Sequence, residues 1–241
     1  MVSSLKVSTK QILISCEHGG NHVPSGYRNL FLKNSSVLNS HRGWDAGALV
    51  LARELSRELN VPLVASETTR LLVDLNRSPH HHNLFSEFTG HCDPATKKKI
   101  LREFYFPYRG KIERKIKNLL KAGNPVIHLS IHSFTPRFNN NIRNADIGLL
   151  YDPPRKNERV FCKKLQSLLK NSSHKLNVRR NYPYRGNADG FTTYLRKQFS
   201  PSKYIGIEIE INQKHISNDK KWKFMRNHLV SSITQITNQV N

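Results

Sequence analysis

Apolar residues in this chain fall into short runs with two distinct periods. Residues 10–16 (KQILISC), 61–66 (VPLVAS), 69–76 (TRLLVDLN), 126–133 (VIHLSIHS), 145–152 (ADIGLLYD) and 204–212 (YIGIEIEIN) are brief and rich in Ile, Val and Leu. Polar or turn-forming residues bound them, which predicts buried strands. Residues 45–59 repeat apolar side chains at helical spacing, with Leu49, Ala52, Leu55 and Leu59 on one face and Asp45 where the helix begins. Further helices are predicted over 94–122, with a break at Pro107, over 157–171 and near 219–239. Strands alternating with helices imply an α/β fold, a mixed or mostly parallel sheet covered on both faces. No repeat, low-complexity tract or linker divides the 241 residues, so the expectation is one domain over 1–241.

In open sheets of this kind ligands bind at the carboxyl ends of the strands. The residues standing there are Glu17 and His18; Asp74, Asn76 and Arg77; His132 and Ser133; and Glu208 and Glu210. Two imidazoles and several carboxylates are the donor set of a catalytic zinc site, which leaves one position open for water. Such an ion polarises a carbonyl and lowers the pKa of bound water to about 7, so amide hydrolysis is the natural chemistry. His18 lies in EHGGNHVP, whose glycines free the backbone to turn. His128, Ser130 and His132 share one face of their strand, and of the two histidines His132 is the one expected to clear the sheet, with His128 a hydrogen-bonded core residue. Glu208 and Glu210 also share a face; one is a candidate general base and the other a salt-bridge partner. Asn76 and Arg77 suit the grip of a substrate carboxylate, unless Arg77 pairs instead with Asp74.

Composition changes this picture in one respect. Lys plus Arg number 39 against 17 Asp plus Glu, a formal charge of +22. Such a surface attracts polyanions, yet the basic residues are scattered and no nucleic-acid module or stacking repeat accompanies them. Nucleic-acid binding therefore stands as the alternative to catalysis. Cys16, Cys92 and Cys162 are too far apart for a cysteine-based metal site and odd in number, which predicts reduced thiols. The absence of a membrane-length apolar run and of an apolar leader in MVSSLKVSTKQ points to a cytoplasmic, membrane-free protein.

The stretches ISCEHGGNHVP, WDAGA, RLLVDLNRSP, HLSIHSF, ADIGLLYD, NYPYRGNADGFTTYL and IEIEINQ, in this order, resemble the N-formylglutamate amidohydrolase family from about Ile12 to Gln213. The resemblance implies a three-layer α/β/α fold akin to the zinc carboxypeptidases, around a central mixed sheet. It also implies one catalytic zinc and hydrolysis of the N-acyl amide, most simply N-formyl, of an acidic amino acid such as N-formyl-L-glutamate. A zinc amidase or peptidase of other specificity is the nearest variant. Carried over by motif, His18 and His132 become metal ligands, Glu210 the general base and Arg77 the substrate-carboxylate arginine. The His-x-x-Glu pair of the carboxypeptidases is missing, since Asn21 stands three residues after His18. Asp45 is the first choice for the third ligand and Glu17 the second, the plain alternative for Asp45 being a helix N-cap. Arg185, in PYRGNADG, is a candidate for a second substrate carboxylate or the developing oxyanion, against a surface-loop role.

Overall fold

The computed structural model describes residues 11–171 and 176–238. In chain order its elements are β1 (Ile12–Cys16), α1 (Ser35–Leu38), α2 (Ala48–Leu59), β2 (Leu63–Ala65), α3 (Pro94–Ile100), α4 (Phe106–Leu120) and β3 (Val126–Phe134). A small hairpin of β4 (Arg137–Phe138) and β5 (Asn141–Ile142) follows, then β6 (Ile147–Leu150), α5 (Lys156–Lys170), β7 (Val178–Arg180), α6 (Phe191–Gln198), β8 (Tyr204–Asn212) and α7 (Asp219–Asn238). Lys10 and Gln239, the outermost residues of the predicted first strand and last helix, lie outside the described residues.

Six strands form one sheet in the order β2-β1-β3-β8-β6-β7. All neighbours run parallel except β6 against β8, so the sheet is mixed and mostly parallel as expected. Strand parity divides the core. Ile127, Leu129 and Ile131 of β3 and Ile205, Ile207, Ile209 and Ile211 of β8 point to one face, where they pack with α2, α5 and α7. The alternate positions face the opposite layer, built from α3, α4, α6 and the segment after β2. On that side the strands carry His128, Ser130, His132, Glu208 and Glu210, all buried. The result is an α/β/α sandwich with one oily layer and one that holds a polar stripe. No helix among the described residues is long and apolar enough to cross a membrane.

Two expectations are corrected. Residues 69–76 form no strand: although Leu71, Leu72, Val73 and Leu75 are buried, the segment runs through turns beneath the sheet. Its run lacks the alternation of a half-buried strand, and its backbone groups bond to loops. Asp74 N–H donates to the Leu84 carbonyl at 2.9 Å, Arg70 N–H to that of Gly43 at 3.1 Å, and the Thr89 hydroxyl reaches the Leu72 carbonyl at 3.0 Å. Pro107 breaks nothing. A π-helical turn at Leu101–Tyr105 joins α3 to α4, and the proline, with no N–H to donate, falls just past it within the first turn of α4. Sequence reading missed β7, where Val178 is the lone apolar residue beside two arginines, and α6, whose eight residues begin with an aromatic and two threonines.

His128 is the core histidine expected. Its Nδ1 lies 2.7 Å from the Tyr204 hydroxyl and its Nε2 2.7 Å from Ser15 Oγ. Burial without a carboxylate partner lowers its pKa from 6.5 to about 4. The unfolded chain therefore binds the extra proton between pH 6.5 and 4, and stability falls as pH drops through that window by about 3 kcal/mol at most. His128→Gln is expected to flatten the acid limb of the urea-unfolding free energy between those pH values relative to the native protein.

Candidate active site

The carboxyl ends of β1, β3 and β8 converge on the polar face. After β1 the chain turns through Gly19 and Gly20, which lie so close to the strand-end segment at Ser66 and Glu67 that an added Cβ would sit 2.9 Å and 2.6 Å from their carbonyl oxygens. The glycines are there for that close approach, and it fixes His18 at the sheet edge. Asp45 N–H donates to the His18 carbonyl at 2.9 Å, which brings the turn leading into α2 to the same edge. The residue that caps α2 is Gly47, with φ +77°, so Asp45 is free of N-cap duty.

His18, Asp45 and His132 form a buried cluster in which one ligand atom from each lies within 4.8 Å of the others. The two rings meet edge to face with centroids 5.1 Å apart. Each imidazole has a carboxylate behind it. His18 Nε2 lies 2.8 Å from Asp74 Oδ1, and His132 Nε2 lies 3.1 Å from Glu17 Oε2 and 3.0 Å from Ser130 Oγ. Both Nδ1 atoms turn towards Asp45 Oδ2, at 2.8 Å for His132 and 3.5 Å for His18. The buried His18 Nδ1 makes no hydrogen bond. An orphaned imidazole nitrogen, a second imidazole and a carboxylate facing one point, with carboxylates orienting the far nitrogens, fit a zinc-type ion.

Glu17 therefore sits behind His132. It also accepts the Tyr108 hydroxyl at 3.1 Å and the Ser130 hydroxyl at 2.6 Å. Asp74 pairs with Arg70 at 2.6 Å, and Arg70 reaches Asp45 Oδ1 at 3.3 Å. Burial alone would raise all three carboxyl pKa values. Hydrogen bonds and charge from His132 at Glu17, from His18, His132 and Arg70 at Asp45, and from Arg70 and His18 at Asp74 hold them well below the ordinary range instead. Burial would lower His132, yet its bonds to Asp45 and Glu17 push it up.

β8 separates its two glutamates. Glu208 accepts the Thr192 hydroxyl at 2.5 Å, whereas Glu210 Oε2 is buried with no partner. Glu210 pairs in register with His132 across β3 and β8, which sets the two side chains side by side. Burial, reinforced by the charges of Asp45 and Glu208 and opposed by His132, raises its pKa from 4.5 to about 8.

A cavity of about 280 Å³ opens here, and His18, Asp45, His132, Asn76, Arg77, Arg185 and Glu210 all line it. Arg77 does not pair with Asp74, a place that Arg70 takes. Arg77 Nη1 instead donates to the Asp189 carbonyl at 3.2 Å. The Asn76 side-chain oxygen accepts Phe191 N–H at 2.7 Å and so tethers the start of α6. Arg185 is exposed and makes no ion pair among the described residues.

A scan against protein-family models matches residues 10–217 to FGase, N-formylglutamate amidohydrolase. The chain belongs to this family. Its members hydrolyse amide bonds. Among solved structures, gene product Atu2144 from Agrobacterium tumefaciens is 28% identical with a TM-score of 0.78, over 95% of this chain and 92% of that one. N-formylglutamate amidohydrolase from Ralstonia eutropha JMP134 shares the fold at 16% identity and a TM-score of 0.71, over 98% and 96% of the two chains. No curated protein matches.

Sequence reading of this family member missed Arg70, the pairing of Asp74 with His18, and Arg109. The last is buried on α4 beneath the rings of Tyr105, Phe191 and Tyr194, with centroids 4.9, 4.1 and 4.6 Å from its guanidinium carbon. It donates to the carbonyls of Leu75 and Arg77, both at 3.1 Å, and Tyr105 donates to the Arg77 carbonyl at 2.7 Å. The backbone beneath Asn76 and Arg77 is thus held from below. Arg109→Met is expected to raise KM for a carboxylate-bearing substrate roughly tenfold or more while changing kcat less, because it loosens this support without touching the imidazoles. Steady-state kinetics on a free acid and on its neutral amide check this, and the amide should be nearly unaffected.

Proposed function

We propose that this chain is a zinc-dependent amidohydrolase that removes the N-acyl group of an acidic amino acid, with N-formyl-L-glutamate as reference substrate. The observation that carries the reading is the pair of imidazoles, each backed by a buried carboxylate at Nε2 and turned through Nδ1 towards Asp45, beside the unpartnered Glu210. His18, Asp45 and His132 would hold the ion. When bound it supplies Lewis-acid polarisation of the carbonyl and a lowered water pKa.

The remaining work belongs to the chain. Arg77 and Arg185, on the cavity wall, take the substrate carboxylates, and the +22 charge favours the approach of a dianion. Held this way, the amide is close to its attack geometry before reaction. Glu210 as carboxylate accepts a proton from water as the water oxygen bonds to the acyl carbon. The carbon–nitrogen bond then breaks, and Glu210 passes that proton to the departing amine. Formate and glutamate are the products from the reference substrate.

The test is a panel of N-acyl amino acids incubated with the zinc-loaded chain, with the freed amine measured. Release of amine from N-formyl-L-glutamate, lost on chelation and restored by zinc, is the expected outcome. A zinc-loaded, folded chain that cleaves none of the panel would overturn the reading.

A further inference from the structure

Along the chain the basic residues are scattered, but the fold concentrates positive charge in two ways. It buries Glu17, Asp45, Asp74, Glu158, Glu208 and Glu210, six of the 17 carboxylates, whereas of the Lys and Arg side chains only Arg109, Arg155 and Arg196 are buried among the described residues. The surface is therefore more basic than the composition. The fold also lines cations up. α3, the π-helical turn and α4 follow one another without a break, and residues three or four apart on a helix are neighbours on one face. Lys98, Arg102 and Phe106 make such a row, all exposed; past Gly110 it continues through Arg114 and Lys117 to Lys121, exposed as well. The other side of α4 is turned inwards, with Tyr108, Arg109, Ile112 and Ile116 buried. Lys99, beside the row, takes Glu103 at 4.0 Å, whereas the five cations on the row make no ion pair among the described residues.

Solvated cations on a helix are ordinary, and charge by itself identifies no partner. What marks this row is the aromatic set within it. Phe106 is 55% exposed, and unlike the exposed rings of Phe138 and Tyr184 it does not line the catalytic cavity. Its ring meets that of Tyr105 edge to face, with centroids 5.3 Å apart, so it is braced by its neighbour. One turn further on, Gly110 carries no side chain, and Arg114 Nη1 lies 3.2 Å from where a Cβ there would stand. The Arg114 side chain thus folds back along the helix towards Phe106. A ring and a planar cation on either side of bare backbone suit the flat face of an unpaired base, and cations along the same row suit its phosphates. Paired bases offer no such face. A lipid surface needs an apolar face to enter the headgroups, and this row supplies a single ring.

We propose that the exposed face of α3 and α4 binds single-stranded nucleic acid, with a base against Phe106 and Arg114 and the backbone along Lys98, Arg102, Lys117 and Lys121. This function is additional to catalysis and independent of the amidohydrolase reading.

The experiment measures binding of the full chain to a fluorescent single-stranded oligouridylate of about 15 nucleotides by anisotropy. Affinity is expected to fall about a hundredfold between about 50 and 200 mM salt, the slope for five phosphates neutralised on a single strand. Phe106→Ala should weaken binding about tenfold, as loss of one base–aromatic stack does. Two fourfold reversals with the same change in net charge then separate face from charge. Lys98→Glu, Arg102→Glu, Arg114→Glu and Lys117→Glu together should abolish binding. Lys163→Glu, Lys164→Glu, Lys220→Glu and Lys221→Glu, on α5 and α7 across the sheet, should leave most of it. Because a variant can misfold, acetylation of the native chain gives an independent readout: the oligonucleotide should protect Lys98, Lys117 and Lys121 and leave Lys163 and Lys220 reactive. Absence of binding at low salt, equal loss in the two reversals, or no selective protection would overturn the assignment. Binding to vesicles of phosphatidylserine and phosphatidylcholine without binding to the oligonucleotide would overturn it in favour of a lipid surface.

Discussion

Glu210→Gln is expected to keep its bound zinc and lose kcat by about 10²- to 10⁴-fold, the usual contribution of a positioned general base. The substitution keeps the shape of the side chain and removes only its capacity to accept a proton. Among the two β8 carboxylates the choice falls on Glu210 because Glu208 is engaged by Thr192 while Glu210 Oε2 has no partner. A second consequence follows from burial. In the metal-free chain the Glu210 carboxyl titrates at about 8 against 4.5 when unfolded, so the folded state holds its proton more tightly between those values. Stability contributed by the neutral form is fully present below pH 4.5 and is lost as pH rises to 8. The glutamine variant escapes that loss. Without metal it should therefore be the more stable protein at pH 8, by on the order of a few kcal/mol, with the difference vanishing near pH 4. A bound cation beside Asp45 favours the carboxylate, so the acid limb of kcat/KM in the zinc-loaded enzyme should lie below pH 8. Persistence of near-native turnover in the glutamine variant would place the proton acceptor elsewhere.

What could be read from the sequence was whatever a strand end or a two-residue period determines. His18, His132 and Glu210 stand at strand ends, and the alternation in VIHLSIHSF and YIGIEIEIN already put the polar side chains on one face. The opposite face of these strands carries Ile and Leu as far as Ser133, so the sheet had to be covered on both sides, and it is. The division of labour among the carboxylates was not legible in the same way. Glu17 and His18 are adjacent, and nothing local says that Glu17 reaches His132 while His18 reaches Asp74, 56 residues away. Asp45 looked equally suited to a helix cap, and only the packing of the turn at Gly47 frees it. Residues 69–76 misled because burial beneath the sheet selects the same Leu and Val that a strand would. The charges flanking that apolar run, Arg70 and Asp74, were the available signal: two ionised groups among buried leucines need partners. Arg109 carried a similar signal, a cation set among aromatic residues on a helix whose solvent side is already basic.

Removing an imidazole is expected to abolish metal binding, and removing the carboxylate behind it only to weaken it. His18→Ala, His132→Ala and Asp45→Ala each delete a donor from a three-residue set, so purified protein should hold well below one zinc per chain by elemental analysis. Asp74→Asn and Glu17→Gln leave the donors but loosen their orientation and lower their basicity, and affinity should fall about 10- to 100-fold. The contrast decides the third ligand. Should Asp45→Ala keep stoichiometric zinc while Glu17→Gln loses it, the carboxylate donor is Glu17, and His132 must bind through the nitrogen now facing Glu17. The geometry favours Asp45, because Glu17 is already occupied by Tyr108 and Ser130, whereas Asp45 Oδ2 faces both Nδ1 atoms. Chelation of the native chain should lower the melting temperature. At a free zinc concentration 1,000-fold above Kd, binding adds about 4 kcal/mol, worth roughly 8–16 °C for a chain of this size. Thermal melts with and without zinc should reveal that shift in the native chain and in Glu210→Gln, and none in His18→Ala or His132→Ala; a shift preserved in both alanine variants would mean the ion sits elsewhere.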